Sequence, residues 1–216
     1  QQLLDRTLSG NAVILPALIA EPIRTGNSSN ALDAESGGYT VSGRWQGIPA
    51  LCCDGFIVEA TGLGGHALLF IDAKAKGVQL QAARAVDGSA LAALTLERVQ
   101  VPAQSVIATN EDAQALAARM RSVLQLAIAS EMLGIMDAAC AKTLDYLGTR
   151  VQFGQPIGKF QALRHGSVDN YVQKETVRSL ILEAAHAARS AHGERLASAA
   201  RVLAGEASLA ICKSSI

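Results

Sequence analysis

The sequence predicts an α+β fold: an antiparallel β-barrel or sandwich over residues 1–108, followed by an α-helical bundle over residues 109–216. Two observations carry this reading. Before residue 108 the segments are short, often alternate in polarity and are separated by glycine-rich turns, as in antiparallel sheets. After it, apolar residues recur every three or four positions, the period of a helix.

In chain order, "QQLLDRTLSG" (1–10) reads as the tail of a helix closing at Gly10. "NAVILPALIA" (11–20) is the most apolar early segment, but it is short and Pro16 interrupts it. "GGYTVSGRW" (37–45) supplies a turn, a strand and a second turn at Ser42–Gly43. Further strands are expected at 54–61, 66–73, 77–84 and 89–102, with turns at Gly62–Gly65, Lys74–Gly77 and Asp87–Gly88. Within "LTLERVQVP" the alternation shifts phase between Leu96 and Val99, which predicts a β-bulge. A long helix follows over 110–150. Asn110 suits its cap, and Glu111 and Asp112 suit its first turn. Its middle, Val123–Met136, is apolar nearly all round, which predicts burial on several sides. Gly134 reads as a point of close helix packing. A second helix is expected from about Gln161 to Ser190, and a third from near Glu194 to the last residue. Both chain ends look abrupt, as though cut from something longer or dependent on a partner.

Half of the 216 residues are hydrophobic, 18% are charged and the formal net charge is zero. With 4% aromatics and no basic excess, the chain does not read as a nucleic-acid binder. No uninterrupted apolar run reaches the roughly 18–20 residues of a membrane helix, and no signal peptide is visible, so no membrane partner is expected. The four cysteines, Cys52, Cys53, Cys140 and Cys212, fit neither a zinc site nor a disulfide framework; they read as reduced thiols of a cytoplasmic protein.

"GLGGHA" (62–67) is followed by a strand, not a helix, so it reads as a hairpin turn and not a dinucleotide fingerprint. His66, His165, His186 and His192 have no convincing metal-ligand spacing, and no metal site is assigned. Glu131 and Asp137 lie within or beside the apolar helix. Burial would raise the pKa of either and suit a general base; the alternative, a carboxylate paired with a cation, is favoured. "RVQFGQPIGKFQALRH" (150–165) is unusual for a helix connection, holding two of the chain's four phenylalanines within an irregular apolar segment. Arg150 complements the dipole at a helix C-terminus. Beside an aromatic ring, its planar guanidinium also suits pyrophosphate and a flat heterocycle.

This stretch, read on through "TRVQFGQPIGKFQALRHGSVDNYV" (149–172), resembles the R-x-Q-F-G-x-P-I-G-x-F-Q-A-x-x-H-x-x-A-D-M-Y hallmark of the flavin-dependent acyl-CoA dehydrogenases, with Val168 for the usual Ala and Asn170 for the usual Met. "ASEMLGIMDAACAKTLDYLGTR" resembles the preceding helix, "LIAEP" (18–22) the entry to the family's middle β-domain, and "VSGRW" and "LTLERVQVPAQSVI" two of its strands. The resemblance covers almost the whole chain. It implies a middle β-domain over 1–108 and part of a C-terminal helical bundle over 109–216. An all-helical domain would precede these, and a "Q-x-H-G-G-x-G" turn with further helices would follow.

The resemblance implies oxidation of an acyl-CoA to the trans-2-enoyl-CoA, with FAD as hydride acceptor and an electron-transfer flavoprotein as electron partner. Arg150 would bind the FAD pyrophosphate, Phe153 would pack near the adenine end and Gln161 would hydrogen-bond the cofactor. In the family these groups serve the FAD of a neighbouring subunit, which implies a homo- or hetero-oligomer. Several family features are altered. The threonine that bonds the flavin ring is Ala20 here, the glycine-rich segment after it is "IRTGNSSN" (23–30), and the segment that packs on the flavin is Gly47–Pro49. No catalytic residue is assigned: Leu124 aligns with one family position of the glutamate base, and Glu131 is a poor substitute. The pattern of losses resembles the small, non-catalytic subunit of heteromeric dehydrogenases.

Overall fold

The computed structural model describes residues 2–18, 31–35, 37–49 and 53–215. Contacts divide the chain into two compact units, Gln1–Met120 and Arg121–Ile216.

The first unit opens with helix α1 (Gln2–Leu8), which ends where Gly10 takes a φ of 76°. Eight strands follow: β1 (Ile14–Pro16), β2 (Ala31–Glu35), β3 (Gly38–Ile48), β4 (Gly55–Gly62), β5 (Gly65–Asp72), β6 (Val78–Arg84), β7 (Ala90–Pro102) and β8 (Val106–Thr109). They form two four-stranded sheets, ordered β1-β4-β5-β8 and β2-β3-β7-β6. Val41, Trp45, Leu94 and Leu96 from one sheet meet Phe56, Val58, Leu69 and Ile71 from the other in a single core, each at most 2% exposed. Burying each such side chain stabilises the fold by about 1.5–3 kcal/mol. The unit is thus a β-sandwich.

The phase shift in β7 is a bulge. Val41 pairs with Val99 but Gly43 pairs with Leu96, and Arg98 absorbs the extra residue at a φ of 47°. The bulge keeps Leu94, Leu96, Val99 and Val101 all facing the core, where strict alternation would have turned the last two to solvent. "GLGGHA" is the β4–β5 hairpin turn, with Gly62 paired to Gly65. A Cβ on Gly62 would lie 2.5 Å from the Leu32 carbonyl oxygen, so the turn's glycines let β2 pass against it.

Two details differ from the expectation. The sheets are not wholly antiparallel: β1 pairs with β4 in parallel, Ile14 opposite Gly55. It is a three-residue edge strand, the setting in which Pro16 is tolerated. Strands β1, β2 and β8, none longer than five residues, lie outside the strands read from the sequence.

Helix α2 (Asn110–Thr149) starts at Asn110, which adopts a φ of 51°. Its first turns belong to the sandwich unit, where Ala113 and Ala117 pack on Leu68. The second unit contains the rest of α2, a two-stranded ribbon of β9 (Val151–Gln152) and β10 (Gln155–Pro156), and helices α3 (Gln161–His186) and α4 (Ala191–Ser214). Its core joins Leu133 and Met136 of α2, Val177 and Ile181 of α3 and Ile211 of α4. Ala197, Ala200, Ala204 and Ala207 form one buried stripe on α4, with no side chain beyond Cβ to hold its neighbours apart. Both later helices depart slightly from expectation: α3 stops at His186, and α4 starts earlier because the Ser190 hydroxyl accepts from Gly193 N–H at 3.1 Å.

The middle of α2 was expected to be buried on several sides. Within this chain it is buried on one, with Val123 58% and Ile135 50% exposed, because α3 and α4 cover a single face. Among the described residues, α2 is the one helix long and apolar enough to cross a membrane by length and composition. No uninterrupted apolar run showed this, because Glu131 and Asp137 punctuate the segment.

Candidate functional site

The connection between α2 and α3 brings the three predicted cofactor residues onto one segment of the helical unit. Arg150 ends the last turn of α2, its N–H donating to Tyr146 O at 2.9 Å. The chain then forms the β9–β10 ribbon, whose tip is Phe153–Gly154, with φ values of 52° and 79°. Two successive positive φ angles mark the mirror-image turn that suits a tight hairpin. Ile157 N–H closes the loop by donating to Arg150 O at 2.8 Å. A 3-10 turn over Ile157–Lys159 leads into α3 at Gln161. Gly158 passes close to α2: a Cβ there would lie 2.9 Å from Leu147 O. The specialised residues of this break therefore build a closed, rigid corner.

The three side chains face out of that corner. Phe153 is 90% exposed and meets Phe160 edge-on, with ring centroids 6.1 Å apart. Arg150 is exposed and has no carboxylate partner among the described residues. Gln161 is exposed, and its amide nitrogen lies 3.4 Å from His165 Nε2. Phe160 occupies the cap position of α3 without a side-chain hydrogen bond, so no side chain there competes for the first-turn N–H groups. Residues 150–168 carry the cations Arg150, Lys159 and Arg164 and no Asp or Glu. A guanidinium, an exposed aromatic ring, an amide and an uncapped helix start, in a segment free of negative charge, form a donor set suited to a phosphate group joined to a planar ring. Lys159 and Arg164 were missed as members of this set; the absence of acidic residues around them was the available signal.

Other candidates resolve differently. Asp137 accepts from Lys174 Nζ at 2.9 Å and from Arg178 Nη2 at 2.9 and 3.0 Å. The Lys174 hydrogen bond is the main cause that holds its carboxyl below the usual range, ahead of that from Arg178. A base poised for proton abstraction would need the opposite shift. Glu131 is exposed, and Leu124 is half-buried. Gly47–Pro49 places Ile48 in the sandwich core, 1% exposed. Ala20 and residues 23–30 lie outside the described residues, as does Cys52. Cys140 and Cys212 are free thiols, and burial raises the Cys140 pKa. Among the described residues no group of three His, Cys, Asp or Glu side chains could hold a metal ion. His66 Nε2 lies 3.0 Å from Glu59 Oε1, and His186 Nδ1 lies 2.7 Å from Leu182 O.

Residues 115–216 match the model of the acyl-CoA dehydrogenase C-terminal domain. The chain is 39% identical over 80 residues to acyl-CoA dehydrogenase IpdE2 of Mycobacterium tuberculosis, covering 37% of this chain and 24% of that one. It is 28% identical over 220 aligned positions to the mitochondrial short/branched chain specific acyl-CoA dehydrogenase of Rattus norvegicus, covering 92% of this chain and 49% of the relative. The ChsE4-ChsE5 complex from Mycobacterium tuberculosis shares the fold, with a TM-score of 0.85 at 23% identity, over 98% of this chain and 56% of that chain. The matches therefore span about half, or less, of the curated relatives' length. Residues 115–216 thus form an acyl-CoA dehydrogenase C-terminal domain, and the chain as a whole has the fold of that family's middle β-domain and helical C-terminal domain.

Proposed function

We propose that this chain forms part of an FAD-dependent acyl-CoA dehydrogenase, a homo- or hetero-oligomer of family subunits, in which it grips the adenine and pyrophosphate half of the cofactor. The observation that carries the proposal is the joint, outward presentation of Arg150, Phe153 and Gln161 by one rigid corner between α2 and α3. Arg150 would pair with a phosphate oxygen through two parallel N–H groups, Phe153 would offer its ring to the adenine, and Gln161 would hydrogen-bond the cofactor from the start of α3. Such contacts bind and orient; they move no proton. When bound, the flavin would supply hydride acceptance in the conversion of an acyl-CoA thioester to the trans-2-enoyl-CoA, with an electron-transfer flavoprotein taking the electrons onward.

A second reading is a subunit that clamps FAD, or serves as a scaffold, without activity of its own. It is favoured by Asp137, whose carboxylate is committed to Lys174 and Arg178, and by Gly47 and Pro49, which stand where the family resemblance places an aromatic flavin wall and a hydroxyl. The M. tuberculosis fold neighbour is a complex named for two chains, an arrangement consistent with this reading. The base would then come from a partner.

Purified protein distinguishes the possibilities. A chain that is colourless alone and turns yellow with a related subunit fits the clamp. Acyl-CoA-dependent reduction of an artificial acceptor by the chain alone rejects the non-catalytic reading. Colourless protein under every condition rejects FAD binding. Arg150→Ala is expected to lower flavin occupancy of the assembled enzyme several-fold, and unchanged occupancy would sink the clamp assignment.

A further inference from the structure

The sheet β2-β3-β7-β6 ends at β6, and among the described residues no strand pairs with its outer side. The ladder to β7 decides which backbone groups lie on that side. Continuing the register of Val78 opposite Leu96, Glu97 N–H donates to Gly77 O and Ala85 N–H donates to Ser89 O, both at 2.9 Å. Bonded residues alternate along an antiparallel pair, so Gln79, Gln81 and Ala83 also turn to β7. Val78, Leu80, Ala82 and Arg84 then point their N–H and C=O groups outward. Val78 N–H donates to Ala75 O at 3.1 Å, which leaves those of Leu80, Ala82 and Arg84. The side chains of these residues lie on the core face, Leu80 opposite Leu94 and Ala82 opposite Ala92. Leu94 and Ala92 are buried, but Leu80 is 44% exposed and Ala82 is exposed, so the core face runs on past the opposing sheet. The other edges are guarded. Strand β1 has three residues and Pro16, β2 has five with Asp33 and Glu35, and β8 has four and runs into α2. Strand β6 has seven residues, no proline and an unbroken register, and Val78–Ala83 carries no charge. Such an edge templates pairing with another strand.

We propose that the free edge of β6 docks an extended, acidic segment of a partner chain, which adds to the sheet as a fifth strand. Its backbone would pair with Leu80, Ala82 and Arg84, and its apolar side chains would cover Leu80 and Ala82. Charge selects the occupant. Residues 73–86 carry Lys74, Lys76 and Arg84 and no acid, so a cation stands at each end of the uncharged run. All three are exposed, and none makes an ion pair among the described residues. Arg84 also lines a hollow of about 510 Å³ beside the β6–β7 turn, with Ala82, Ala83, Gly88 and Ala90. Of the bordering acids, Asp72 accepts from Lys74 N–H at 2.8 Å and Asp87 from Ser89 N–H at 2.9 Å, while Glu97 stands opposite Gly77 on β7. A second β6 is a poorer occupant. Paired antiparallel about Gln81, it would set Arg84 of each copy against Val78 of the other, two residues from Lys76, and like charges would meet at both ends. The inference does not rest on flavin binding at the α2–α3 corner.

The test is calorimetric titration of the whole purified chain with a short peptide of alternating valine and threonine that carries glutamate at both ends. Saturable one-to-one binding is expected, about tenfold tighter than that of the same peptide with lysine ends. N-methylation of every peptide amide should abolish it. Ala82→Pro removes one outward N–H, leaves the ladder to β7 intact and suits an edge strand, so it should weaken binding about tenfold. Lys76→Glu combined with Arg84→Glu should reverse the preference in favour of the lysine-ended peptide. If Ala82→Pro fails to fold, which a thermal melt reveals, the charge-reversed variant and the N-methylated peptide still decide. Absence of saturable binding, equal binding of the N-methylated peptide, an unreversed charge preference or undiminished binding by folded Ala82→Pro overturns the proposal. So does sedimentation that shows a dimer of the chain which Ala82→Pro abolishes, since the edge would then serve a second copy.

Discussion

Replacing Asp137 by Asn separates the two roles the sequence allows this residue. The substitution keeps the shape and removes the charge that holds Lys174 and Arg178, all of its contacts lying at 2.9–3.0 Å. Asp137 is 42% exposed at its side chain, so solvent screens the pairing. Lys174 is only 14% exposed, however, and once Asp137 is neutral keeps a 3.5 Å contact to Glu175 and the Tyr171 ring 5.3 Å away. The loss is then about 1–2 kcal/mol, above an open surface pair and below a buried one. For a chain of 216 residues it lowers the melting midpoint by about 2–8 °C, read by circular dichroism. The pH dependence has a definite sign. The folded pKa of Asp137 is depressed, mainly by Lys174, so its stabilisation is complete above the unfolded value near 3.9. It fades as pH falls through the lower folded value. The stability gap between wild type and Asp137→Asn should therefore hold from neutral pH down to about pH 5 and close in stronger acid. A gap that ignores acid, or a variant equal in stability to wild type but deficient in turnover, would refute the ion-pair account and return Asp137 to the list of candidate bases.

Other substitutions test the fold and the corner. Met136→Ala, at a position 0% exposed in the helical core, should cost about 2–5 kcal/mol in a denaturant melt. Gly62→Ala puts a Cβ 2.5 Å from the Leu32 carbonyl oxygen and should destabilise the sandwich by about 1–3 kcal/mol. Ser190→Ala removes the α4 cap and should cost about 1 kcal/mol. Phe153→Asn relieves a φ of 52° that costs a non-glycine residue about 1–2 kcal/mol, while losing an edge-on ring contact worth about 0.5–1.5 kcal/mol. Stability should barely move while flavin retention falls; a large drop in stability would make the ring structural.

Strands β3 to β7 are legible because glycine turns and alternation mark both their ends and their faces. The β7 bulge is legible for a related reason: Leu96 and Val99 are out of phase, and both must face the core. Strands β1, β2 and β8 are too short to show a period, and the parallel pairing of β1 depends on where β4 lies. Helical periodicity revealed that α2 is apolar, but not how many neighbours cover it. Lys174 and Arg178 share a helix face at a spacing visible in sequence, yet their partner Asp137 is 41 residues from Arg178. The corner was legible because specialised residues crowd into one short segment. The burial of Asn170 was not: it stood out only as a departure from a family pattern, and its position beside Ser214 requires α4 to be in place.

The account's central claim is that the corner holds the adenine and pyrophosphate half of FAD. The most direct measurement is displacement of bound FAD from the purified assembly by ADP and, separately, by FMN, followed by flavin fluorescence. The account predicts that ADP displaces FAD, that FMN at equal concentration does not, and that Arg150→Ala weakens ADP binding about tenfold or more through loss of a charge-assisted contact. Displacement by FMN alone, or ADP binding unchanged in Arg150→Ala, would contradict it.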